Sequence, residues 1–195
     1  MDKWGIFERG YMKRETTYPI RYLSYEEWEK LKSFKKLARD DLILTILYSS
    51  GCTVNELVNI RLKDIDFSKR ILTIRKTCSR NKSLRRVYLS KKVIDKIKIF
   101  IEQNESTDYL FSTRQSKKMT TKRVRQIVQK LCSKLNIPDA TPQIIRYTHI
   151  AHAYKQNIPV DAILRQVGLR RSRAIEIFNQ LKLSDVEKAY EEFEI

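Results

Sequence analysis

From Tyr22 onward the apolar positions repeat with helical spacing, break once into a strand-like alternation, and then return to helical spacing. Ser24, followed by Glu26 and Glu27, predicts an N-cap with acidic first-turn residues and a helix to about Phe34. Leu42, Ile43, Leu44, Ile46 and Leu47 predict a buried helix over Arg39 to Ser50, closed by Gly51 as C-cap. A short helix is expected around Val54 to Ile60, then a turn at Lys63-Asp64-Ile65-Asp66. Ile71 to Ile74 and Arg85 to Leu89 read as strands joined by a polar hairpin over Lys76 to Lys82. Val93, Ile94, Ile97 and Ile101 restore the helical period over Lys91 to Ile101. A short strand or turn is expected near Tyr109-Leu110-Phe111. Thr120 or Thr121 caps a helix to about Leu135, and further helices begin at Thr141, Val160 and Ser172. Helices, then a small antiparallel sheet, then helices again imply an α+β fold, mainly helical.

The same pattern divides the chain. Residues 1–22 show no period and read as an arm or linker; residues 23–182 form one domain. Residues 183–195 form an acidic helix whose stripe of Leu183, Val186, Tyr190 and Phe193 needs something to dock against. A length of 195 residues suits one sizeable core.

Charge changes the picture more than composition does. The net charge of +17 makes a polyanion the expected partner, with an anionic membrane surface as the rival. No run of about 18 apolar residues and no N-terminal signal pattern is present, so no membrane role is expected. Cys52, Cys78 and Cys132 are scattered and odd in number, which reads as reduced thiols in a cytoplasmic protein rather than a disulfide frame or zinc site. Neither a metal nor a cofactor is expected.

The stretch Thr141-Pro142-Gln143-Ile144-Ile145-Arg146-Tyr147-Thr148 carries the candidate chemistry. Thr141 can cap a helix and Pro142 suits its first position. Ile144, Ile145, Thr148 and Ala151 would face the core, leaving Arg146 near the positive helix end, where a phosphate is favoured. Arg146 could instead pair with a carboxylate such as Glu56.

This stretch resembles the signature of the tyrosine recombinases, the phage integrase family, usually Thr-Pro-His-x-Leu-Arg-His-Thr. Tyr48 to Asp66 is similar to a second family section, around Tyr-x-Thr-Gly-Leu-Arg-Val-Ser-Glu-Leu. Asn157 to Val160 resembles the turn between helices, and Ile163 to Leu169 the segment ending in Gly-His. The resemblance covers roughly residues 22–182 and implies the family's catalytic-domain fold, with double-stranded DNA as partner. It also implies a metal-free reaction in which a Tyr attacks a phosphodiester, two Arg with His or Trp stabilise the transition state, and a hairpin Lys protonates the leaving oxygen.

Carried over by position, much of that chemistry is missing. Arg146 matches the second Arg, and Lys76 the hairpin Lys, with Lys82 competing. The first Arg falls on Thr53, the His of the signature on Gln143, the last His or Trp on Leu169, and the nucleophile on Phe178. Losing one transition-state donor costs roughly 2.7–4 kcal/mol, and Phe178 removes the nucleophile altogether. The expectation is therefore a protein that keeps the fold without the reaction. His152 is the one remaining histidine candidate for chemistry, although His149 and His152 both read as packing residues. Tyr147 reads as a packing residue too. Tyr190 lies on the docking stripe rather than reading as a stand-in nucleophile.

DNA contact is expected from three basic clusters. The resemblance places the helix from Thr120 in the major groove, with Lys122, Arg123, Arg125, Gln126 and Gln129 as contacts. The hairpin offers Arg75, Lys76, Arg80, Lys82, Arg85 and Arg86; Arg170, Arg171 and Arg173 form the third cluster. Arg146 would add a phosphate contact. A solvated basic face is the plainer reading of each.

Family members carry a further helical domain before the catalytic one. About 22 residues cannot form it, so a lone half-clamp or a fragment is expected. The C-terminal helix would dock onto a neighbouring subunit, giving self-association on DNA, or fold back on its own basic face. The resulting expectation is a non-catalytic DNA-binding regulator, either a repressor or a recombination accessory factor of a phage or mobile element. The alternatives are an active recombinase with a displaced nucleophile (Tyr190, or one supplied in trans) and an assembly protein binding RNA or protein.

Overall fold

The computed structural model describes residues 20–79, 83–104, 108–113, 116–138, 140–169 and 176–181. The chain enters through α1 (Tyr25–Ser33), α2 (Ala38–Ser50) and α3 (Val54–Val58). At the head of α1, Ser24 accepts from the Glu27 amide while Glu27 reaches back to the Ser24 amide. Thr53 and Glu56 repeat that reciprocal cap on α3.

A 3-10 turn at Leu62–Asp64 leads into an antiparallel sheet of β1 (Ile65–Asp66), β2 (Ile71–Ile74) and β3 (Arg85–Tyr88), in that order. The expected turn at Lys63 to Asp66 therefore holds a short first strand that period alone could not reveal, because two residues show no alternation. The helices α4 (Lys91–Asn104), α5 (Thr121–Ser133), α6 (Pro142–Lys155) and α7 (Val160–Val167) come next, with residues 176–181 again helical. Thr120 is the cap of α5, its hydroxyl accepting from the Arg123 amide. Thr141 occupies the cap position of α6 without a side-chain capping bond, and Pro142 begins the helix. Tyr109 to Phe111 form no extended strand; Tyr109 makes a single bridge with Arg61. The mainly helical α+β expectation holds.

Two apolar clusters hold these elements together. The larger joins α1 to α5 and the sheet around Leu31, Ile43, Leu47, Leu57, Leu72 and Ile97. The smaller gathers Ile150, Ala151, Ala153, Ile163, Val167, Ile177, Phe178 and Leu181. Glycine marks the junctions between elements. Gly51 ends α2 and Gly168 ends α7, both left-handed, at φ 57° and 67°. A Cβ on Gly51 would stand 2.5 Å from Val167 Cγ1, and one on Gly168 would stand 2.8 Å from Arg85 Cδ. α7 also seals the edge of β3. The Gln166 amide accepts from the Tyr88 amide at 3.1 Å and donates to its carbonyl at 2.9 Å, as a neighbouring strand would.

Residues 1–19 and 182–195 lie outside the described residues, and with them most of the expected arm and the C-terminal docking helix; so do Arg80, Lys82, Arg170, Arg171 and Arg173. No described helix is long and apolar enough to cross a membrane.

Candidate nucleic-acid interface and the arginine cluster behind it

Strand alternation explains the centre of the site. Arg85, Val87 and Leu89 share a face, and Val87 and Leu89 are fully buried, so Arg85 is turned inward with them. Its guanidinium grips Glu56 in a fork, Nη1 to Oε1 at 2.5 Å and Nη2 to Oε2 at 2.9 Å. Its Nε donates to the Gln166 carbonyl at 3.1 Å. Arg146 approaches the same carboxylate from α6, at 3.9 Å, while its Nη2 donates to the Val167 carbonyl at 2.9 Å. The last carbonyls of α7 are thus capped by two guanidiniums, a favourable place for cations. Arg146 is only 6% exposed, and its Nη1 has no hydrogen-bond partner among the described residues. The pairing with Glu56, the alternative to a phosphate contact, is present as a charge contact.

Burial alone would raise the Glu56 carboxyl, but Arg85, the Thr53 amide and Arg146 together hold it below its ordinary range. For Arg146, burial pulls the value down against the pull of Glu56, and Arg85 adds to the lowering. The buried Cys52 thiol beside them is pushed up to about 11, by burial first and by Glu56 next, so it is inert.

The positions matched by resemblance separate in space. Lys76 is exposed at the turn after β2, and Gln143 is exposed in the first turn of α6. Thr53 caps α3. Leu169 is partly buried against the smaller cluster. Phe178 is 6% exposed inside that cluster, its ring 5.3 Å from that of Tyr154. The positions matched to the last donor and to the nucleophile therefore pack with one apolar core. Tyr147 is partly buried against the same cluster.

Both histidines are structural. His152 is 2% exposed, bonded at Nδ1 to the Tyr48 hydroxyl and at Nε2 to the Leu23 carbonyl, both at 3.0 Å, and stacked on Tyr25. His149 meets the Tyr48 ring edge-on. Burial, and then Arg146, lower His149 to about 4. Its folded value lies below the unfolded one, so the unfolded chain binds more protons between about 4 and 6.5. Its stabilising contribution is complete above about 6.5 and is lost as pH falls toward 4, with a ceiling of about 3 kcal/mol. Urea midpoints measured across that range should fall with acid, and fall less in a His149→Gln variant.

The hairpin is less available than its composition implies. Arg85 serves Glu56, and Arg75 pairs with Asp64 at 3.0 Å and donates to the Asn59 carbonyl at 2.6 Å. Both side chains are thus engaged within the protein; of the expected hairpin cluster, Lys76 and Arg86 are exposed among the described residues. The sequence signal was present in the alternation of Arg85 with Val87 and Leu89.

α5 is different. Val124, Ile127, Val128, Leu131 and Cys132 are buried, while Lys122, Arg123, Arg125, Gln126, Gln129 and Lys130 are exposed. It has no acidic residue, in contrast to α4, which carries Asp95 and Glu102. An open groove lined by Gln129, Ser133, Asn136 and Thr141 among others separates its C-terminal half from the head of α6. Such a face can hold a polyanion.

Known proteins carry the same architecture. The chain is 28% identical over 175 residues to tyrosine recombinase XerA of Pyrococcus furiosus, covering 87% of this chain and 60% of that protein. It is 24% identical over 163 residues to tyrosine recombinase XerD of Staphylococcus saprophyticus, covering 80% and 54%. The chain thus spans little more than half the length of these relatives. The crystal structure of XerA recombinase superimposes with a TM-score of 0.75 at 22% identity, over 91% of this chain and 67% of that one. XerH site-specific recombinase bound to its palindromic difH substrate gives 0.74 at 18% identity, over 89% and 54%. Residues 21–184 match the phage integrase family as a whole, which is most of the chain, and on that match this chain belongs to the phage integrase family.

Proposed function

We propose that this chain is a non-catalytic DNA-binding protein of the tyrosine-recombinase fold, acting in the cytoplasm as a repressor or recombination accessory factor of a phage or mobile element. The observation that carries the reading is the packing of Phe178 and Leu169 with one apolar core, while α5 presents exposed cations and amides. A nucleophile needs an activated oxygen and its transition state needs fixed donors. Thr53, Leu169 and Phe178 supply neither, and Gln143 replaces a donor only in part. Binding to a phosphate backbone needs no more than positioned cations. The C-terminal helix supplies self-association on DNA in this reading.

A second reading is an active recombinase with a displaced or trans-supplied nucleophile, favoured by the recombinase names of its relatives. A nicked suicide duplex separates the two. We expect binding without a covalent adduct, with log affinity falling by about 0.9 per log unit of salt for each phosphate neutralised. Adduct formation, or indifference to duplexes at low ionic strength, would overturn the proposal.

A further inference from the structure

The exposed face of α5 is ordered beyond what general attraction to a polyanion requires. Lys122, Gln126, Gln129 and Ser133 follow at spacings of four, three and four, so they form one stripe along the helix. All four are exposed, and the stripe lies opposite the buried Val124, Ile127, Val128 and Leu131. Arg125 stands on one flank; Arg123 and Lys130, seven apart, share the other. After Lys122, therefore, the outermost line is neutral and hydrogen-bonding, with charge on both sides. A merely solvated helix has no reason to sort its residues this way. A helix seated in a DNA major groove has one: its flanks meet the two phosphate backbones and its outermost line meets base edges.

The dimensions agree. Gln126 and Gln129 are separated by about 4.5 Å along the helix axis, close to the roughly 3.4 Å step between bases on one strand. The two amides thus address neighbouring base pairs. Each primary amide offers one acceptor and a donor pair, which matches the N6 donor and N7 acceptor of adenine.

We propose that Gln126 and Gln129 are the base-reading residues of this chain. Each accepts from adenine N6 and donates to adenine N7 at adjacent A·T pairs, while Arg123, Arg125 and Lys130 contact flanking phosphates. This rests on the DNA-binding reading above and goes further, to which base pairs are chosen and by which side chains. A-form RNA is excluded by the same geometry, because its major groove is too deep and narrow for a helix.

The test is selection of bound fragments from a random-sequence DNA duplex pool with the wild-type chain and with Gln126→Ala, Gln129→Ala and Arg123→Ala. All three positions are exposed, so the buried face of the helix is unchanged. The wild-type consensus should contain two adjacent A·T pairs. Each glutamine variant should lose its preference at one of them, by roughly tenfold or more, with little change in affinity for random duplex. Arg123→Ala should weaken binding to all sequences alike and lower the salt slope by about 0.9. A wild-type consensus without those pairs, glutamine variants that keep it intact, or duplex RNA competing as well as DNA would each overturn this assignment and leave the DNA-binding reading standing. A wild-type chain that ignores duplex DNA overturns both.

Discussion

Replacing Arg85 by methionine is expected to destabilise the protein by about 3–5 kcal/mol, because it leaves Glu56 as a buried charge without its fork partner. Glu56 is 3% exposed, and the remaining cation, Arg146, stands 3.9 Å away and is itself tied to the Val167 carbonyl. The same substitution frees the Gln166 carbonyl at the end of α7 and opens space beside Gly168. For a chain of this size the melting temperature should fall on the order of 10 °C. Two controls isolate the cause. Arg86→Met, one residue along the same strand but exposed, should change stability by no more than about 0.5 kcal/mol. Adding Glu56→Gln to Arg85→Met should recover much of the loss, since it removes the stranded charge while glutamine still serves the cap of α3. Equal melting temperatures for the Arg85 and Arg86 variants would refute the argument.

Restoring the missing hydroxyl alone is expected to leave strand cleavage undetectable. In Phe178→Tyr the new oxygen would enter an apolar cluster, costing about 1–3 kcal/mol of stability unless it finds an acceptor. Three further positions matched to donors hold Thr53, Gln143 and Leu169. At roughly 2.7–4 kcal/mol each, the two absent donors at Thr53 and Leu169 and the partial one at Gln143 would raise the barrier by about 5–12 kcal/mol. Grouped catalytic residues are not additive, but even the lower figure is on the order of ten-thousandfold in rate. Only a variant carrying Thr53→Arg, Gln143→His, Leu169→His and Phe178→Tyr together should give measurable adduct on a nicked duplex. An adduct from Phe178→Tyr alone would mean that other groups supply the donors.

Much of the architecture was legible because amphipathic helices announce themselves locally. The caps at Ser24 and Thr120, the left-handed end at Gly51 and the buried face of α5 all depend on residues within one or two turns of each other. The first strand was not legible, because Ile65–Asp66 becomes a strand only by pairing with Ile71 and Leu72. The role of Arg85 was half legible. Its alternation with Val87 and Leu89 marks an inward direction, yet a basic hairpin in a chain of net charge +17 argues for an outward one. Its partner lies 29 residues away in sequence, on a helix whose cap reads as complete without it.

Residue order alone determined the mainly helical fold, the basic face of α5 and the residue types at Thr53, Leu169 and Phe178 on which the non-catalytic proposal rests, since each depends on side-chain type and short-range spacing. Folding decided which of many cations are free. Arg85, Arg75 and Arg146 are held by Glu56, Asp64 and the end of α7, while those of α5 are exposed to solvent. The reason is that a charge sealed away from water must find its counter-charge or an acceptor wherever the chain brings one, and that meeting is made by packing between distant segments.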